Sequence, residues 1–349
     1  MMNETTKVEI QVGTMIERVS NRSLWCDIMN SWDWGPGVAM FGVAQAHGVF
    51  RGEALVRAER WVGIQLADNP PKWNVNTAAL GLILLPLYEM TNNSKYLETA
   101  DKIAHYLMEE APRVGRGAIE HTVIHDSWSK QVWADTLFMG AMFLGLYGKY
   151  KGNSVWVEEA SKQFALHHDY LSAGDGLYYH GWNDLESHHM SAVRWARGNS
   201  WITAASAIAL TEFMDESSPH YDRVVEGFRQ QAARLLQLQA KDGLWHTVLD
   251  DPATYTETSA SAAFAFGLLR GARLGLLPAE YRTCAEHTVQ AMVNNHIDLL
   301  GTVLGVSTGT NVQKEAADYN RIRTDIPEGW GQGLTLLMLT EWAVQERGE

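Results

Sequence analysis

The stretch Gln131-Val132-Trp133-Ala134-Asp135-Thr136-Leu137-Phe138-Met139-Gly140 decides how this chain is read. It opens an apolar segment that continues to Tyr150 and is followed by the more polar Ser154 to His168, which predicts an inner helix over 131–150 backed by an amphipathic one. One carboxylate, Asp135, sits among Trp133, Phe138 and Met139, with Trp128 just upstream. Burial disfavours the charged form of an acid and lifts its pKa towards the range of general acids, which makes Asp135 the leading catalytic candidate. The alternative is an acid in a helix first turn, stabilised by free backbone N–H groups and the helix dipole.

The same order of loop, apolar helix and polar helix recurs along the chain. A loop with Trp32 and Trp34 leads into Val38 to Phe50 and then Arg51 to Leu66. Trp73 leads into Asn76 to Met90, with Ser94 to Glu110 as the polar partner. Further rounds pair Ile202 to Met214 with Ser218 to Ala240, and Ser259 to Leu274 with Ala279 to Asn295. The last apolar helix, Leu334 to Val344, takes the N-terminal segment Lys7 to Ser20 as its outer partner. This pattern predicts an all-α (α/α)6 barrel formed as a single domain over residues 1–349, because inner helices meet neighbours on most sides and outer ones on only one. The long connections near 111–130, 169–196, 241–256 and 297–328 all precede inner helices, so they are expected to gather at one end and carry function.

Composition narrows the class. A net charge of -13 argues against a nucleic-acid surface. Cys26 and Cys284 are too few for a disulfide framework and lack metal-ligand spacing. The N-terminal segment has no apolar core suited to a signal peptide, and no window is apolar enough to span a bilayer, so a cytoplasmic protein, monomer or homodimer, is expected. Many of the 14 tryptophans stand at loop-to-helix junctions, among them Trp34, Trp128, Trp133, Trp195, Trp201 and Trp330. Indole faces pack on sugar C–H faces while the N–H reaches a hydroxyl; the plain alternative for each is a place in the core.

Two further motifs lie in the fourth connection and the helix after it: Tyr179-His180-Gly181-Trp182, and Trp195-Ala196-Arg197-Gly198-Asn199-Ser200-Trp201. Together with Trp133 to Met139, Glu257-Thr258-Ser259-Ala260-Ser261-Ala262 and Gly329-Trp330-Gly331-Gln332-Gly333, in that order, they resemble the unsaturated rhamnogalacturonyl hydrolases of glycoside hydrolase family 105. The resemblance runs from about Trp32 to the end of the chain.

It implies an enzyme that removes a 4,5-unsaturated uronic acid from the non-reducing end of a lyase-generated oligosaccharide by hydrating a vinyl ether, without metal or cofactor. Asp135 takes the place of the acid that protonates C4. His180 becomes a substrate or water contact. Arg197 is expected to clamp the substrate carboxylate in a bidentate pair, its alternative being bonds to carbonyls or a neighbouring acid. Trp201, one helical turn on, is expected to stack on the sugar, with Trp133, Trp34, Trp128 and Trp330 around it. Where many family members carry an Asp-His-x-Asn pattern, this chain has Trp73-Asn74-Val75-Asn76, so Asn76 becomes a polar contact and any second acid must be Asp33, Asp126 or Glu257.

Other readings stay open on the residues alone. His121, His125 and Asp126 have spacing that can ligate zinc, but dedicated sites assemble three or four ligands and this stretch reads as a loop, so no metal is expected. His167 and His168 read as solvated positions on an outer helix. A sugar epimerase on the same barrel would need two inward histidines, of which only His180 is evident. A noncatalytic sugar-binding protein would use the tryptophan mouth alone.

Overall fold

Several helices start where the sequence supplies an acceptor for the free N–H groups of a first turn. Asp33 Oδ1 accepts from the Trp34 amide at 2.9 Å, Asn93 Oδ1 from Lys95 at 3.2 Å, and Asn153 Oδ1 from Val155 at 3.1 Å. They stop where left-handed backbone is tolerated, at Asn92 (φ 55) and Gly152 (φ 63).

A computed structural model describes residues 4–25, 31–68, 72–124 and 128–347. In chain order the helices are α1 (Glu4–Ser23), α2 (Trp34–Val49), α3 (Ala54–Asp68), α4 (Val75–Ala78), α5 (Gly81–Thr91), α6 (Ser94–His105), α7 (Met142–Lys151), α8 (Ser154–Leu171), α9 (Ala196–Glu212), α10 (Tyr221–Leu238), α11 (Thr258–Arg273), α12 (Glu280–Ala291), α13 (Ala316–Tyr319) and α14 (Gly329–Arg347). Helices α2, α5, α7, α9, α11 and α14 form a closed inner ring, each touching the next, and α14 returns to α2. Helices α3, α6, α8, α10, α12 and α1 back them. The predicted (α/α)6 barrel is therefore present, and α1 covers α14 as the sequence pattern required.

Ring closure depends on small residues. A Cβ at Gly42 would run into the Gly333 backbone, and one at Gly333 into the Val38 carbonyl, so α2 and α14 cross with main chains in contact. The inner helices are enclosed along most of their length: α9 is buried from Ala196 to Leu210, and α11 from Thr258 to Gly271.

Three expectations need correction. Residues 131–150 are not one helix. Gln131–Trp133 is a strand, β1, which pairs antiparallel with β2 (Gly181–Asn183) in the register Trp133↔Gly181, and a π-helical turn at Leu137–Ala141 precedes α7. A β-branched and an aromatic residue favour the strand, and Gly181 permits the approach, since a Cβ there would meet Trp133 Cδ1 at 3.0 Å. The segment from Asn76 to Met90 is likewise broken at Ala79 and Leu80 into α4 and α5. His167 and His168 are fully buried: His168 Nδ1 bonds Tyr178 Oη at 2.5 Å and His167 Nδ1 the Gln163 carbonyl at 2.8 Å. His168 faces α10, where Gly227 leaves no Cβ in the way of its ring.

Candidate active site

The β1–β2 pairing builds the site. The Ala134 amide donates to the His180 carbonyl at 3.0 Å, which carries the next residue, Asp135, to the His180 imidazole. His180 Nε2 lies 3.4 Å from Asp135 Oδ2; the imidazole is fully buried and 16% of the Asp135 side chain is accessible. His180 Nδ1 bonds Tyr319 Oη at 2.9 Å. In front of Asp135 a cavity of about 100 Å3 is lined by Trp34, Asn76, His121, Asp135, Arg197 and Asn311, with Trp133, Trp195, Val123, Gly309 and Thr310 completing the wall. Three of the four long connections supply residues to it, as expected of gathered loops. A larger cavity of about 500 Å3, lined by Glu17, His47 and Arg51, lies at the other end of α2 and holds none of these groups.

Electrostatics in the free protein run against the expectation of a raised acid. Burial alone would lift Asp135, but the close approach of His180, then the charges of His121 and Arg197, outweigh it and hold the carboxyl below its usual range. Burial also lowers His180, opposed by Asp135, and pushes His121 down to about 4. Near neutral pH the site thus holds an ionised carboxylate between neutral imidazoles, with the Arg197 guanidinium as its permanent cation.

Arg197 is not the free clamp that the motif suggests. Its Nη1 donates to the Ser307 carbonyl at 2.8 Å and to Ser307 Oγ, and its Nη2 to the Thr308 carbonyl at 2.8 Å and Thr310 Oγ1 at 3.1 Å. Glu257 Oε1 lies 3.6 Å away. The alternative reading, carbonyls and a neighbouring acid, is the one realised. Arg197 shapes the cavity by fixing the 307–310 loop that forms its wall.

The tryptophans divide. Trp34 and Trp133 line the cavity, the latter with its N–H already donated to Gln131 Oε1 at 2.8 Å and one face covered by His121, stacked at 4.5 Å. Trp128 packs on Trp133 at 5.2 Å and is half-buried, one step behind the wall. Trp201 is fully buried against Phe138 and Trp34 and cannot stack on a sugar. Trp330 is buried too, its N–H on the Ser307 carbonyl at 3.2 Å. Trp32 is a core residue, bonded to the Thr77 carbonyl. Indoles at loop junctions turn inward here because inner helices present neighbours on every side.

Asn76 lines the cavity, while Asn74 caps α4 in a reciprocal pair with Thr77. Neither Asp33 nor Glu257 enters. Asp33 caps α2, Glu257 is fully buried with Ser259, Ala260 and Ser307 on its oxygens, and Asp126 lies outside the described residues, as does His125. Among the described residues no group of three metal-ligating side chains forms. Asn311 and Tyr319 were missed, and His121 was weighed only as a metal ligand. His121 faces the cavity as a second inward imidazole, against the expectation that His180 stands alone, and Tyr319 reaches His180 from the 297–328 loop.

An alternating-helix barrel with a sheltered carboxylate–imidazole pair at its loop-rich end is the architecture of a six-hairpin glycoside hydrolase. The chain belongs to Glycosyl Hydrolase Family 88, whose model matches residues 8–345. It is 35% identical over 339 residues to Unsaturated rhamnogalacturonyl hydrolase YesR of Bacillus subtilis, covering 95% of each protein. Crystal structures described as possible members of the GH105 family, from Salmonella enterica and Klebsiella pneumoniae, match at 30% identity with TM-scores of 0.91 and 0.90. They cover 97% and 96% of this chain and 94% and 93% of their own. The chain is therefore an enzyme, a glycoside hydrolase, as the ordered motifs implied. No helix among the described residues is long and apolar enough to cross a membrane.

Proposed function

We propose that this protein, a cytoplasmic monomer or homodimer, removes the 4,5-unsaturated uronic acid from the non-reducing end of small anionic oligosaccharides left by a polysaccharide lyase, with Asp135 as the proton donor. The observation that carries this reading is Asp135 in the wall of a cavity of about 100 Å3, backed by the buried His180 imidazole at 3.4 Å. Cavities that enclose whole drug-sized ligands run to about 300–1,000 Å3, so only a chain end enters this one.

Asp135 is the one carboxylate lining the cavity among the described residues, which fits vinyl-ether hydration better than ordinary glycoside hydrolysis with its two flanking acids. Entry of the substrate carboxylate and loss of water both favour the neutral acid, so Asp135 takes up a proton as the site fills. It transfers that proton to C4. Water adds to C5 and returns a proton to Asp135. The resulting C5 hemiketal opens by cleavage of its bond to the ring oxygen, giving a C5 ketone and a C1 hemiacetal, which expels the neighbouring sugar. Asn76, Asn311, His121 and the Trp34 and Trp133 rings are placed to hold the sugar, and Arg197 holds the loop behind it.

Incubation with lyase-generated unsaturated disaccharides should bleach the ultraviolet absorbance of the conjugated C=C–carboxylate. Stable absorbance across rhamnogalacturonan-, glucuronan- and glycosaminoglycan-derived substrates would sink the proposal.

A further inference from the structure

The Tyr319 hydroxyl is sheltered and has three polar neighbours, among them the Ser191 hydroxyl. It accepts the Gln313 backbone N–H at 3.0 Å and meets His180 Nδ1 at 2.9 Å. Its ring is fully buried and stacks on Trp195 at 5.6 Å, and Trp195 in turn lies 4.2 Å from the His180 ring. Nothing in the hydration chemistry requires this residue, and it arrives from α13, a short helix within the loop before the last inner helix.

A phenol has one hydrogen to give and two lone pairs; the Gln313 amide can only donate to its oxygen, and the Ser191 hydroxyl can donate to the second lone pair, which leaves His180 as the acceptor. Burial pushes the Tyr319 phenol up from its usual range, so that hydrogen stays in place. His180 is neutral near pH 7, and a neutral imidazole carries a hydrogen on one nitrogen only; its partner decides which. We propose that Tyr319 is a positioning residue that donates its hydroxyl hydrogen to His180 Nδ1, fixing the tautomer with N–H at Nε2, directed at Asp135 Oδ2.

This inference rests on the proposed role of Asp135 as acid and adds what determines where its proton resides. Asp135 Oδ2 is sheltered from solvent while the side chain as a whole keeps some exposure and lines the cavity, which leaves Oδ1 as the oxygen facing the substrate. With N–H at Nε2, Oδ2 is occupied as an acceptor, and a proton taken up by Asp135 resides on Oδ1, where C4 can receive it. The opposite tautomer presents a lone pair at Nε2. That lone pair would draw the acid proton to Oδ2, away from the cavity. The 3.4 Å separation is long for a hydrogen bond in the free protein, and such contacts tighten in the bound complex.

The test reads the tautomer directly and does not depend on turnover. Long-range 1H–15N correlation of 15N-histidine-labelled protein, with His180 assigned through His180→Asn, should show hydrogen on Nε2 in the wild type. Tyr319→Phe keeps the ring on Trp195 and removes the hydroxyl; it should move the hydrogen to Nδ1 or give a mixture, lower kcat tenfold or more, and leave KM within about threefold. Hydrogen on Nδ1 in the wild type overturns the proposal, with or without activity. So does a Tyr319→Phe protein with unchanged tautomer, or with unchanged kcat. A protein that bleaches no unsaturated uronide but shows the Nε2 tautomer and its loss in Tyr319→Phe refutes the assigned reaction and leaves the hydrogen-bond assignment standing.

Discussion

Arg197 Nη1 and Glu257 Oε1 lie 3.6 Å apart with both side chains buried, and between them they hold Ser307 by its amide, carbonyl and hydroxyl. The cation is thus committed to the protein rather than to a ligand. Arg197→Lys keeps the charge but loses the planar fork, so the carbonyls of Ser307 and Thr308 lose partners. Urea denaturation should show a loss of about 1–3 kcal/mol, and Arg197→Ala, which strands Glu257 as an unpaired buried charge, about 3–5 kcal/mol. Were Arg197 a substrate clamp instead, Arg197→Lys would raise KM at unchanged stability.

Asp135→Asn tests the acid. Amide and carboxylate are nearly isosteric, and the carboxyl makes no strong structural bond beyond its contact with His180. General acid catalysis contributes roughly 10²–10⁴ in rate, so kcat/KM should fall by that factor while the urea midpoint stays close to wild type. A variant retaining a tenth of the activity would remove Asp135 from the mechanism.

Trp201 separates core from platform. Its indole N–H is buried without a partner and its ring meets Phe138 and Trp34. Trp201→Phe removes that unpartnered donor but leaves space, a balance that should cost about 1–3 kcal/mol of stability by the usual scale of core truncations. KM should hold within twofold. A large rise in KM with stability intact would return Trp201 to the sugar.

The barrel was legible because burial on all sides leaves a compositional trace: the stretches that became α9 and α11 are nearly free of charge, while α10 alternates as an outer helix must. The strand at Gln131–Trp133 left no such trace, since its partner at Gly181–Asn183 is about 50 residues on and only the pairing makes it a strand. Tyr319 was invisible for the same reason; its bond to His180 spans 139 residues. His167 and His168 could have been found. Ala160, Phe164 and Leu171 share one helical face with them, and a histidine on such a face is more often satisfied core than solvated surface. Asp135 was found by the apolar company it keeps, yet its ionisation follows from His180, His121 and Arg197, all brought to it by tertiary structure.

Those buried histidines predict acid lability. Burial lowers His121 and His167 to about 4 and His168 to about 3, against 6.5 unfolded. Below pH 6.5 the unfolded chain binds protons that the folded one refuses, so stability present above that pH is lost as pH falls, down to about 4 for the first two and about 3 for the third. Three such groups change the slope by about 4 kcal/mol per pH unit once pH is well below 6. Against a typical total of about 5–15 kcal/mol, the protein should unfold between roughly pH 5 and 4. Urea midpoints that stay level from pH 7 to 5 would contradict it.

Barrel closure makes the last prediction, and it has an internal control. At Gly333 a Cβ would collide with the Val38 carbonyl and the Ala39 backbone, atoms that no rotamer change can move, so Gly333→Ala must push α14 off α2. Overpacking of this kind costs about 1–3 kcal/mol and sometimes more. The shift also reaches the site, because Trp34 and Trp330, near the first residues of these two helices, pack at 4.4 Å beside the cavity. Gly333→Ala should therefore lose both stability and kcat/KM. Gly63 lies inside outer helix α3 with nothing within 4 Å of an added Cβ, so Gly63→Ala should gain about 0.5–1 kcal/mol through helix propensity alone, with activity unchanged. Equal effects at the two glycines would mean that the main-chain contact between α2 and α14 does not govern closure.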